Sequence, residues 1–374
     1  MVSSRTLFLD LVSGRKRGLV SDLARGGLSL LAVFYRVILA IRNGYYIWLR
    51  AGGRRMPCPV ISVGNLTVGG TGKTPLSALL AEMLRKRGRR VAVLTRGYKG
   101  RAIQVDAERR DAAMGQWRRE SDEALVLKQR CPNAIIVINP DRVTGARAAL
   151  SQGADVLILD DGFQHRRLAR DLDIVLIDAT APFGHGRLLP RGLLREPEKA
   201  LRRADLIVLT RSDQIESSDR TLLVAQLRRT SGGRPVLSAI HRIRGFLDLK
   251  GRPVPIEDAS AMQAVIFAGI ANFGSFRRCV EALDVHVLAA YEYPDHHDYT
   301  AEEIAALGDV ASNLEANVIL TTEKDAVKLV GRWEGQACRL LVPRLEIEFQ
   351  GEGDTILNQM LTQVLEAEPL VPRA

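Results

Sequence analysis

A glycine-rich segment carries the clearest chemical pattern in the sequence. It lies between the apolar run Val60–Val63 and a helical pattern from Leu76, and it reads Gly64-Asn65-Leu66-Thr67-Val68-Gly69-Gly70-Thr71-Gly72-Lys73-Thr74-Pro75. Glycines let backbone N–H groups converge on phosphate oxygens, and a helix start adds the positive end of its dipole. A terminal Lys-Thr pair suits the β- or γ-phosphate and Mg²⁺. We therefore expect a nucleotide-phosphate loop that binds through Gly69, Gly70, Thr71, Gly72, Lys73 and Thr74.

The loop departs from the strict GxxxxGK[ST] pattern at one position, because Thr67 stands where the first glycine is expected. A tight glycine turn that binds no ligand is the alternative interpretation. The strand before the segment and the helix after it favour the phosphate loop.

Two adjacent acids follow a second apolar run. Val156-Leu-Ile-Leu leads into Asp160 and Asp161, and Gly162 comes next. An apolar strand that ends in an acid is typical of the element that holds Mg²⁺ beside a phosphate loop. Successive side chains of a strand point in different directions, so we expect one acid to face the metal, and the sequence leaves open which. An acid that only caps a turn is the alternative.

Phosphoryl transfer also requires cations and a proton acceptor. Cations neutralise the charge on the transferred group, and the candidates at strand ends and in the Gly- and Pro-rich segment 184–197 are Arg96, Arg142, Arg187 and Arg195. Each could instead be a solvated surface charge. Asp122 is a candidate base at the start of a helical pattern, where it could also be a simple N-cap. His296, in a Pro-Asp-His-His segment, could equally lie in a surface loop.

The elements that must position these residues alternate between short Val- and Ile-rich runs and helical patterns. Such runs without polar alternation predict an α/β fold with a buried parallel sheet flanked by helices. Four widely spaced cysteines give neither a zinc pattern nor a disulfide framework. We expect a basic amphipathic segment (1–55), a kinase domain (56–233), an extended two-stranded linker (234–258) and a smaller α/β domain (259–374).

The positive charge is concentrated at the N-terminus. The chain has 374 residues and a net charge of +10, and its first 55 residues contain ten basic and two acidic residues. Within them, an apolar run of 14 residues (28–41) contains Arg36, so it is short and charged for a membrane span. The pattern predicts an amphipathic helix that lies on an anionic membrane surface. A helix that packs on the protein with its basic face outward is the alternative.

Together these motifs resemble the tetraacyldisaccharide 4'-kinase (lipid A 4'-kinase) family. The matching elements follow the family's order along most of the chain, and the family's own loop pattern, GNxTxGGxGKTP, accommodates Thr67. Other matches are Arg96-Gly97-Tyr98, Asp122-Glu123, Asp160-Asp161-Gly162-Phe163-Gln164-His165, Gly186-Arg187-Leu188-Leu189-Pro190, Leu194-Arg195-Glu196-Pro197, Pro294-Asp295-His296 and Thr322-Glu323-Lys324-Asp325-Ala326-Val327.

The resemblance implies a P-loop NTPase-like kinase that uses ATP and Mg²⁺ to phosphorylate the 4'-hydroxyl of a lipid A disaccharide 1-phosphate. It implies a peripheral position at the cytoplasmic face of the inner membrane. By resemblance, Lys73 contacts ATP phosphates, Thr74 contacts Mg²⁺, and Asp161 corresponds to the family's metal carboxylate, with Asp160 beside it. Asp122 is the base that His296 assists, and we expect closure between the domains to bring the two together. Glu196 joins the substrate or phosphate contacts.

Three other functions remain possible at this point. A soluble P-loop nucleotidase or small-molecule kinase would share the loop but would not bind anionic membranes. A GTPase-like switch would read guanine through Thr210-Arg211-Ser212-Asp213, which lacks the asparagine of the usual motif. A nucleic-acid module ranks last, because no recognisable DNA- or RNA-binding motif is present; we expect no nucleic-acid partner.

Overall fold

Short buried strands alternate with helices in the computed structural model, which describes residues 4–48, 53–97, 103–104, 122–334 and 336–367. The chain divides into two units. The first takes the described residues within 1–106, 133–240 and 349–374. The second takes 122–132 and His241–Glu348. Helix Asp122–Arg130, which we expected in the kinase domain, therefore belongs to the second unit.

The first unit is built on a parallel sheet. Its strands lie in the order β8-β7-β6-β1-β5-β2-β4-β3, and β3 is antiparallel to β4. Hydrophobic side chains bury both faces of β5, as the unbroken apolar run predicts. The strands are β1 (Val60–Asn65), β2 (Val91–Thr95), β3 (Ile103–Gln104), β4 (Ile135–Ile138), β5 (Val156–Asp160), β6 (Leu172–Asp178), β7 (Leu206–Thr210) and β8 (Val236–Asp248), which continues into the second unit.

The helices of this unit cover the sheet through small and branched apolar residues. Ala146 and Ala149 of one helix pack on Leu157 and Leu159 of β5, and Leu223 and Leu227 of another belong to the cluster formed with β6 and β7. The helices are α1 (Ser4–Ser13), α2 (Leu19–Trp48), α3 (Lys73–Lys86), α5 (Arg142–Ser151), α6 (Ser217–Ser231) and α10 (Gly353–Glu366), with 3₁₀ turns at Gly184–Gly186, Glu198–Arg203 and Ser212–Gln214.

The second unit has its own parallel sheet, in the order β11-β10-β12-β13. Alternate residues of β10 face two cores: Ile266 packs on the cluster that contains Phe276, and Phe267 packs on the cluster that contains Leu307 and Leu329. Helices therefore cover both faces. The elements are α4 (Asp122–Arg130), β9 (Pro253–Val254), β10 (Gln263–Ala268), α7 (Phe273–Glu281), β11 (His286–Glu292), α8 (Ala301–Asn313), β12 (Val318–Leu320), α9 (Glu323–Leu329) and β13 (Arg339–Phe349), with a 3₁₀ turn at Ile256–Ala261.

The α/β prediction is confirmed by these parallel sheets and their helices. The two-stranded linker at 234–258 stays a prediction. In the structure this range contains β8 and β9, which pair antiparallel through Phe246 and Val254. Strand β13 also passes from the second unit back into the first, at Glu348 and Phe349.

Helix α2 turns its apolar face to solvent. It is longer than the apolar run suggested, and its range Leu19–Tyr46 is long and apolar enough to cross a membrane by length and composition alone. Its predicted apolar face is exposed: Leu30, Phe34, Val37, Ile38, Ile41 and Tyr45. The opposite side, with the buried Leu39 and the half-buried Tyr35 and Arg42, packs on the protein. A helix of a globular protein normally packs through its apolar face, whereas α2 leaves that face exposed.

Gly64 lets β1 pass close to the turn after β5. A Cβ at this position would lie 2.4 Å from Cβ of Phe163, which is fully buried. We expect Gly64→Ala to lower the free energy of unfolding by about 2 kcal/mol, as overpacked core positions do, measured by urea denaturation. Gly27→Ala in α2 is the control, because nothing lies within 4 Å of a Cβ there. Equal midpoints for wild type and Gly64→Ala would contradict the close approach.

Candidate phosphate-binding and proton-transfer sites

The glycine loop joins β1 to α3 in the manner the sequence predicts. Gly69 has φ 133° and Gly72 has φ 92°, values that side-chain-bearing residues rarely adopt. Gly72 precedes the first residue of α3, Lys73, in a left-handed conformation. Thr71 and Thr74 are buried beside it. The loop therefore presents the start of a helix and a lysine at the carboxyl end of a parallel strand.

The last residue of β7, Thr210, and the residue after it, Arg211, hydrogen-bond to the loop. Thr210 Oγ1 donates to the carbonyl of Thr71 at 3.1 Å, and an Arg211 guanidinium nitrogen donates to the carbonyl of Gly70 at 2.8 Å. Arg211 is buried and also forms an ion pair with Asp178. These bonds fix the orientation of two peptide planes in the loop.

The sequence signalled this brace only as an incomplete guanine-reading motif. In the structure Arg211 is committed to Asp178 and the glycine loop, and Ser212 Oγ donates to the carbonyl of Ala239 at 3.0 Å. Thr210, Arg211 and Ser212 of this motif therefore each have a local structural use. Asp178 is a functional candidate that the sequence reasoning missed.

The two adjacent acids have different surroundings. Asp160, at the end of β5, is 2% exposed and accepts a hydrogen bond from Ser77 Oγ at 2.9 Å. Asp161 adopts φ 53° and is half-buried. Its carboxylate lies 3.5 Å from Lys73 Nζ and 2.8 Å from an Arg195 guanidinium nitrogen. The structure thus brings together three residues that are far apart in the sequence.

Charge dominates the environment of Asp161. Burial alone would raise the pKa of Asp161, but the Lys73 ammonium and the Arg195 guanidinium outweigh it and hold the pKa well below its usual value. The carboxylate is therefore ionised at neutral pH, which a metal ligand or a partner of phosphate-binding cations requires.

The other predicted cations divide into two groups. Arg142 is buried, donates to the carbonyl of Asp160 at 3.2 Å, and has its pKa lowered to about 10 by burial although the two acids oppose this. Arg96 and Arg187 are exposed. Arg96 is near enough for its charge to lower the pKa of Arg142 further. Tyr98, which completes the matched Arg-Gly-Tyr motif, lies outside the described residues.

Glu196 has a structural setting that the sequence did not predict. It is fully buried and forms ion pairs with Arg42 of α2 at 3.0 Å and with Arg203 at 2.9 Å. The neighbouring carbonyl of Arg195 accepts a hydrogen bond from the Tyr35 hydroxyl at 2.9 Å. The segment of Arg195 and Glu196, whose Arg195 side chain binds Asp161, is therefore bonded directly to helix α2.

The donor set around the loop suits a nucleotide with Mg²⁺. Thr71 Oγ1, Asn65 Oδ1 and Gln164 Oε1 are buried and have no hydrogen-bond partner among the described residues. No group of three or more His, Cys, Asp or Glu residues in the described ranges could hold a metal by itself. Mg²⁺ normally binds one or two carboxylates together with phosphates and water, so Asp160 or Asp161 with Thr74 fits this cation.

A second cluster lies within the second unit. Asp122 begins α4, and its Oδ2 is 3.1 Å from His296 Nδ1 and 3.1 Å from Lys328 Nζ. We expected domain closure to bring Asp122 and His296 together, but both belong to the same unit and are already hydrogen-bonded.

The hydrogen bond between Asp122 and His296 lowers the pKa of the carboxyl and raises the pKa of the imidazole. Burial would raise the pKa of Asp122, but the hydrogen bond from His296 and the charge of Lys328 lower it below its usual value. The same hydrogen bond to Asp122 raises the pKa of His296, although burial opposes this. The pair therefore favours an ionised carboxylate beside a protonated or readily protonated imidazole.

Asp161→Asn tests the charge cluster at the glycine loop. A carboxylate with a depressed pKa in the folded state stabilises the fold above its unfolded pKa, about 3.9, and loses that contribution as the pH falls. Between about pH 5 and pH 3, we expect the unfolding free energy of wild type to fall more than that of Asp161→Asn, by on the order of 1 kcal/mol. Urea denaturation at each pH measures this, with Asp219→Asn as the control for a lost surface carboxylate. Parallel pH curves for wild type and Asp161→Asn would contradict the cluster.

Comparison with known proteins identifies the family. Residues 25–366 match the family model described as tetraacyldisaccharide-1-P 4'-kinase, LpxK. The chain is 42% identical over 357 residues to the tetraacyldisaccharide 4'-kinase of Syntrophobacter fumaroxidans, covering 93% of this chain and 91% of that protein. It is 39% identical to the enzyme of that name from Anaeromyxobacter dehalogenans, covering 98% of both chains.

A solved structure shares the fold. It is that of LpxK from Aquifex aeolicus in complex with ATP, with a TM-score of 0.70 and 29% identity, covering 91% of this chain and 99% of that one. This match confirms the predicted fold class. The family model and these relatives span nearly the whole sequence, and this chain therefore belongs to the tetraacyldisaccharide-1-P 4'-kinase family.

Proposed function

We propose that this chain is an ATP-dependent kinase that transfers the γ-phosphate to the 4'-hydroxyl of a lipid A tetraacyldisaccharide 1-phosphate. Membership of the family and the name shared by its relatives support this function. The observation that carries it is the cluster of Lys73, Asp161 and Arg195 beside the glycine loop. It concentrates two cations and one ionised carboxylate where a parallel sheet of this type binds phosphates.

The loop and its neighbours would hold the nucleotide. Backbone N–H groups of 69–74 and the Lys73 ammonium would bind phosphate oxygens, and Thr74 would contribute its hydroxyl to Mg²⁺. Asp161, being partly exposed, is the better direct metal ligand, while Asp160 is bonded to Ser77. Bound ATP and Mg²⁺ supply the transferable phosphoryl group and neutralise its charge. Arg96, Arg142, Arg187 and Arg195 are the proposed substrate or phosphate contacts. Glu196, a predicted contact, is fully buried and ion-paired with Arg42 and Arg203, so it would position the segment of Arg195 instead.

Asp122 would receive the proton of the sugar hydroxyl. Its lowered pKa keeps it ionised, and His296 fixes the orientation of its carboxylate through the 3.1 Å hydrogen bond. An ionised, oriented carboxylate is a suitable general base when hydrogen-bonded to the hydroxyl that it deprotonates. His296 is therefore the proposed assisting residue.

Membrane association is consistent with a family that acts on a lipid precursor. We propose further that helix α2 attaches the enzyme peripherally to the cytoplasmic face of the inner membrane. Its exposed apolar side chains would enter the interface, and the exposed Arg15, Lys16, Arg17 and Arg36 would contact anionic headgroups. The acyl chains of the substrate would then remain in the bilayer during the reaction.

Phosphate transfer from γ-labelled ATP to the lipid disaccharide tests the catalytic assignment. We expect Lys73→Met to abolish transfer, and Asp122→Asn to lower kcat at least about 100-fold with little change in the KM for ATP, as loss of a general base does. Lys86→Met is the control, because Lys86 is an exposed lysine of the same helix as Lys73. Full activity of Lys73→Met would exclude the phosphate loop, and an unchanged kcat for Asp122→Asn would exclude the base.

Vesicle sedimentation tests the role of α2. The triple variant Leu30→Ser, Phe34→Ser, Ile38→Ser removes three side chains that are about 60% exposed. Each buried apolar side chain of this size is worth about 1.5–3 kcal/mol, so we expect binding to vesicles containing phosphatidylglycerol to weaken more than about tenfold. Leu222→Ser, an equally exposed leucine in α6, is the control. Equal binding of the triple variant and wild type would refute the attachment.

A further inference from the structure

Lys328 contacts the same carboxylate oxygen as His296. Its Nζ lies 3.1 Å from Asp122 Oδ2, 3.0 Å from the carbonyl oxygen of His297 and 3.5 Å from Asp325 Oδ1. An ammonium group has three N–H donors, and these three acceptors match them. The side chain is 11% exposed, so Lys328 is held in one place and is not a solvated surface lysine.

Asp325 anchors this lysine. It is fully buried, and its Oδ2 accepts hydrogen bonds from Thr322 Oγ1 at 2.7 Å and from the Gly269 amide at 3.1 Å. The Gly269 carbonyl in turn accepts a hydrogen bond from the His296 amide at 3.1 Å. Gly269, the residue directly after β10, therefore bonds both to Asp325, which anchors Lys328, and to the backbone of His296.

Gly269 must be a glycine for this arrangement. A Cβ there would lie 2.8 Å from the Pro294 carbonyl oxygen and 3.2 Å from Asp325 Oδ1. A side chain would push apart the loop that carries His296 and the helix that carries Lys328. The close packing around Gly269 therefore fixes the positions of His296 and Lys328 relative to each other.

Both donors use Oδ2 and leave the other oxygen of Asp122 available. Among the described residues, His296 and Lys328 both make their shortest contact with Oδ2, and no side-chain hydrogen bond to Oδ1 is present. We infer that Lys328 is a positioning residue that, with His296, orients Asp122 so that Oδ1 takes the proton of the acceptor hydroxyl. This inference rests on the proposed role of Asp122 as base.

In that step, the O–H bond of the sugar hydroxyl breaks and its proton bonds to Oδ1. The electron pair of the sugar oxygen forms the new bond to the γ-phosphorus, and the bond from that phosphorus to the bridging oxygen breaks, leaving its electrons on ADP. Lys328 transfers no proton. It contributes a fixed positive charge that, together with the hydrogen bond from His296, holds Oδ2 in place and lowers the pKa of Asp122.

Glu123 and Arg130, two other charged residues of α4, pair with groups other than Asp122. Glu123, the next residue of α4, binds Lys324 Nζ at 2.9 Å. Arg130, at the end of α4, binds Glu323 at the start of α9. Asp295, beside His296, contributes a negative charge that raises the pKa of that histidine. Lys324 and Lys328 lie on the same helix, but only Lys328 is an ion-pair partner of Asp122.

Titration of the Asp122 carboxyl in the free protein tests the inference without any substrate. In ¹³C-aspartate-labelled protein, the resonance is identified by its loss in Asp122→Asn. We expect Lys328→Met to raise the pKa of Asp122 by about one unit or more, as loss of an adjacent cation does. Lys328→Arg should retain most of the depression, and Lys324→Met should change the pKa much less. An unchanged pKa in Lys328→Met would overturn the inference.

Kinetics provides the second measurement. Lys328→Met should lower kcat about tenfold or more, as misplaced catalytic groups do, with the KM for ATP unchanged, and Lys328→Arg, which keeps the positive charge, should retain most of the activity. An unchanged kcat in Lys328→Met, or an equal loss in Lys328→Met and Lys328→Arg, would reject the inference. If Asp122→Asn keeps full activity, the proposed function of Asp122 fails, whereas the titration still reports the contact with Lys328.

Discussion

The candidate active site depends on how one carboxylate is held. Asp161 lies between the Lys73 ammonium and the Arg195 guanidinium, in a left-handed conformation that costs a non-glycine residue about 1–2 kcal/mol. Strand β5 delivers it to the carboxyl edge of the sheet, and the Arg195 amide donates to the Leu66 carbonyl at 2.7 Å. The side chains of Lys73, Asp161 and Arg195 therefore connect the phosphate loop, the end of strand β5 and the segment that contains Arg195.

The segment around Arg195 also connects this charge cluster to helix α2. Tyr35 and Arg42 of α2 bond to the carbonyl of Arg195 and the carboxylate of Glu196, whereas the opposite side of the helix exposes apolar residues. A helix that uses polar residues for packing and leaves its apolar residues outside is unusual in a water-soluble setting. The arrangement is consistent with the proposal that α2 attaches the enzyme to the membrane, because the phosphate-binding segment is then bonded to the proposed attachment helix.

Local sequence patterns were sufficient where the chemistry is local. The strand–loop–helix unit with Lys73, the paired acids after β5 and the parallel sheets follow from glycine placement and apolar runs. Contacts between distant segments were not visible in those patterns. The buried pair of Arg211 and Asp178, the ion pair of Glu196 with Arg42 and the contact of Lys328 with Asp122 each join residues more than 30 positions apart. The sequence pattern also did not show that α4 belongs to the second unit, because that assignment depends on its tertiary contacts.

The most direct test of this account is to incubate wild-type protein with ATP, Mg²⁺ and the tetraacyldisaccharide 1-phosphate, and to locate the new phosphate by ³¹P NMR. A parallel reaction uses the same acceptor without its 4'-hydroxyl group. The account predicts a monoester at the 4' position and no transfer to the 4'-deoxy acceptor. Hydrolysis of ATP without transfer, or equal phosphorylation of both acceptors, would contradict it.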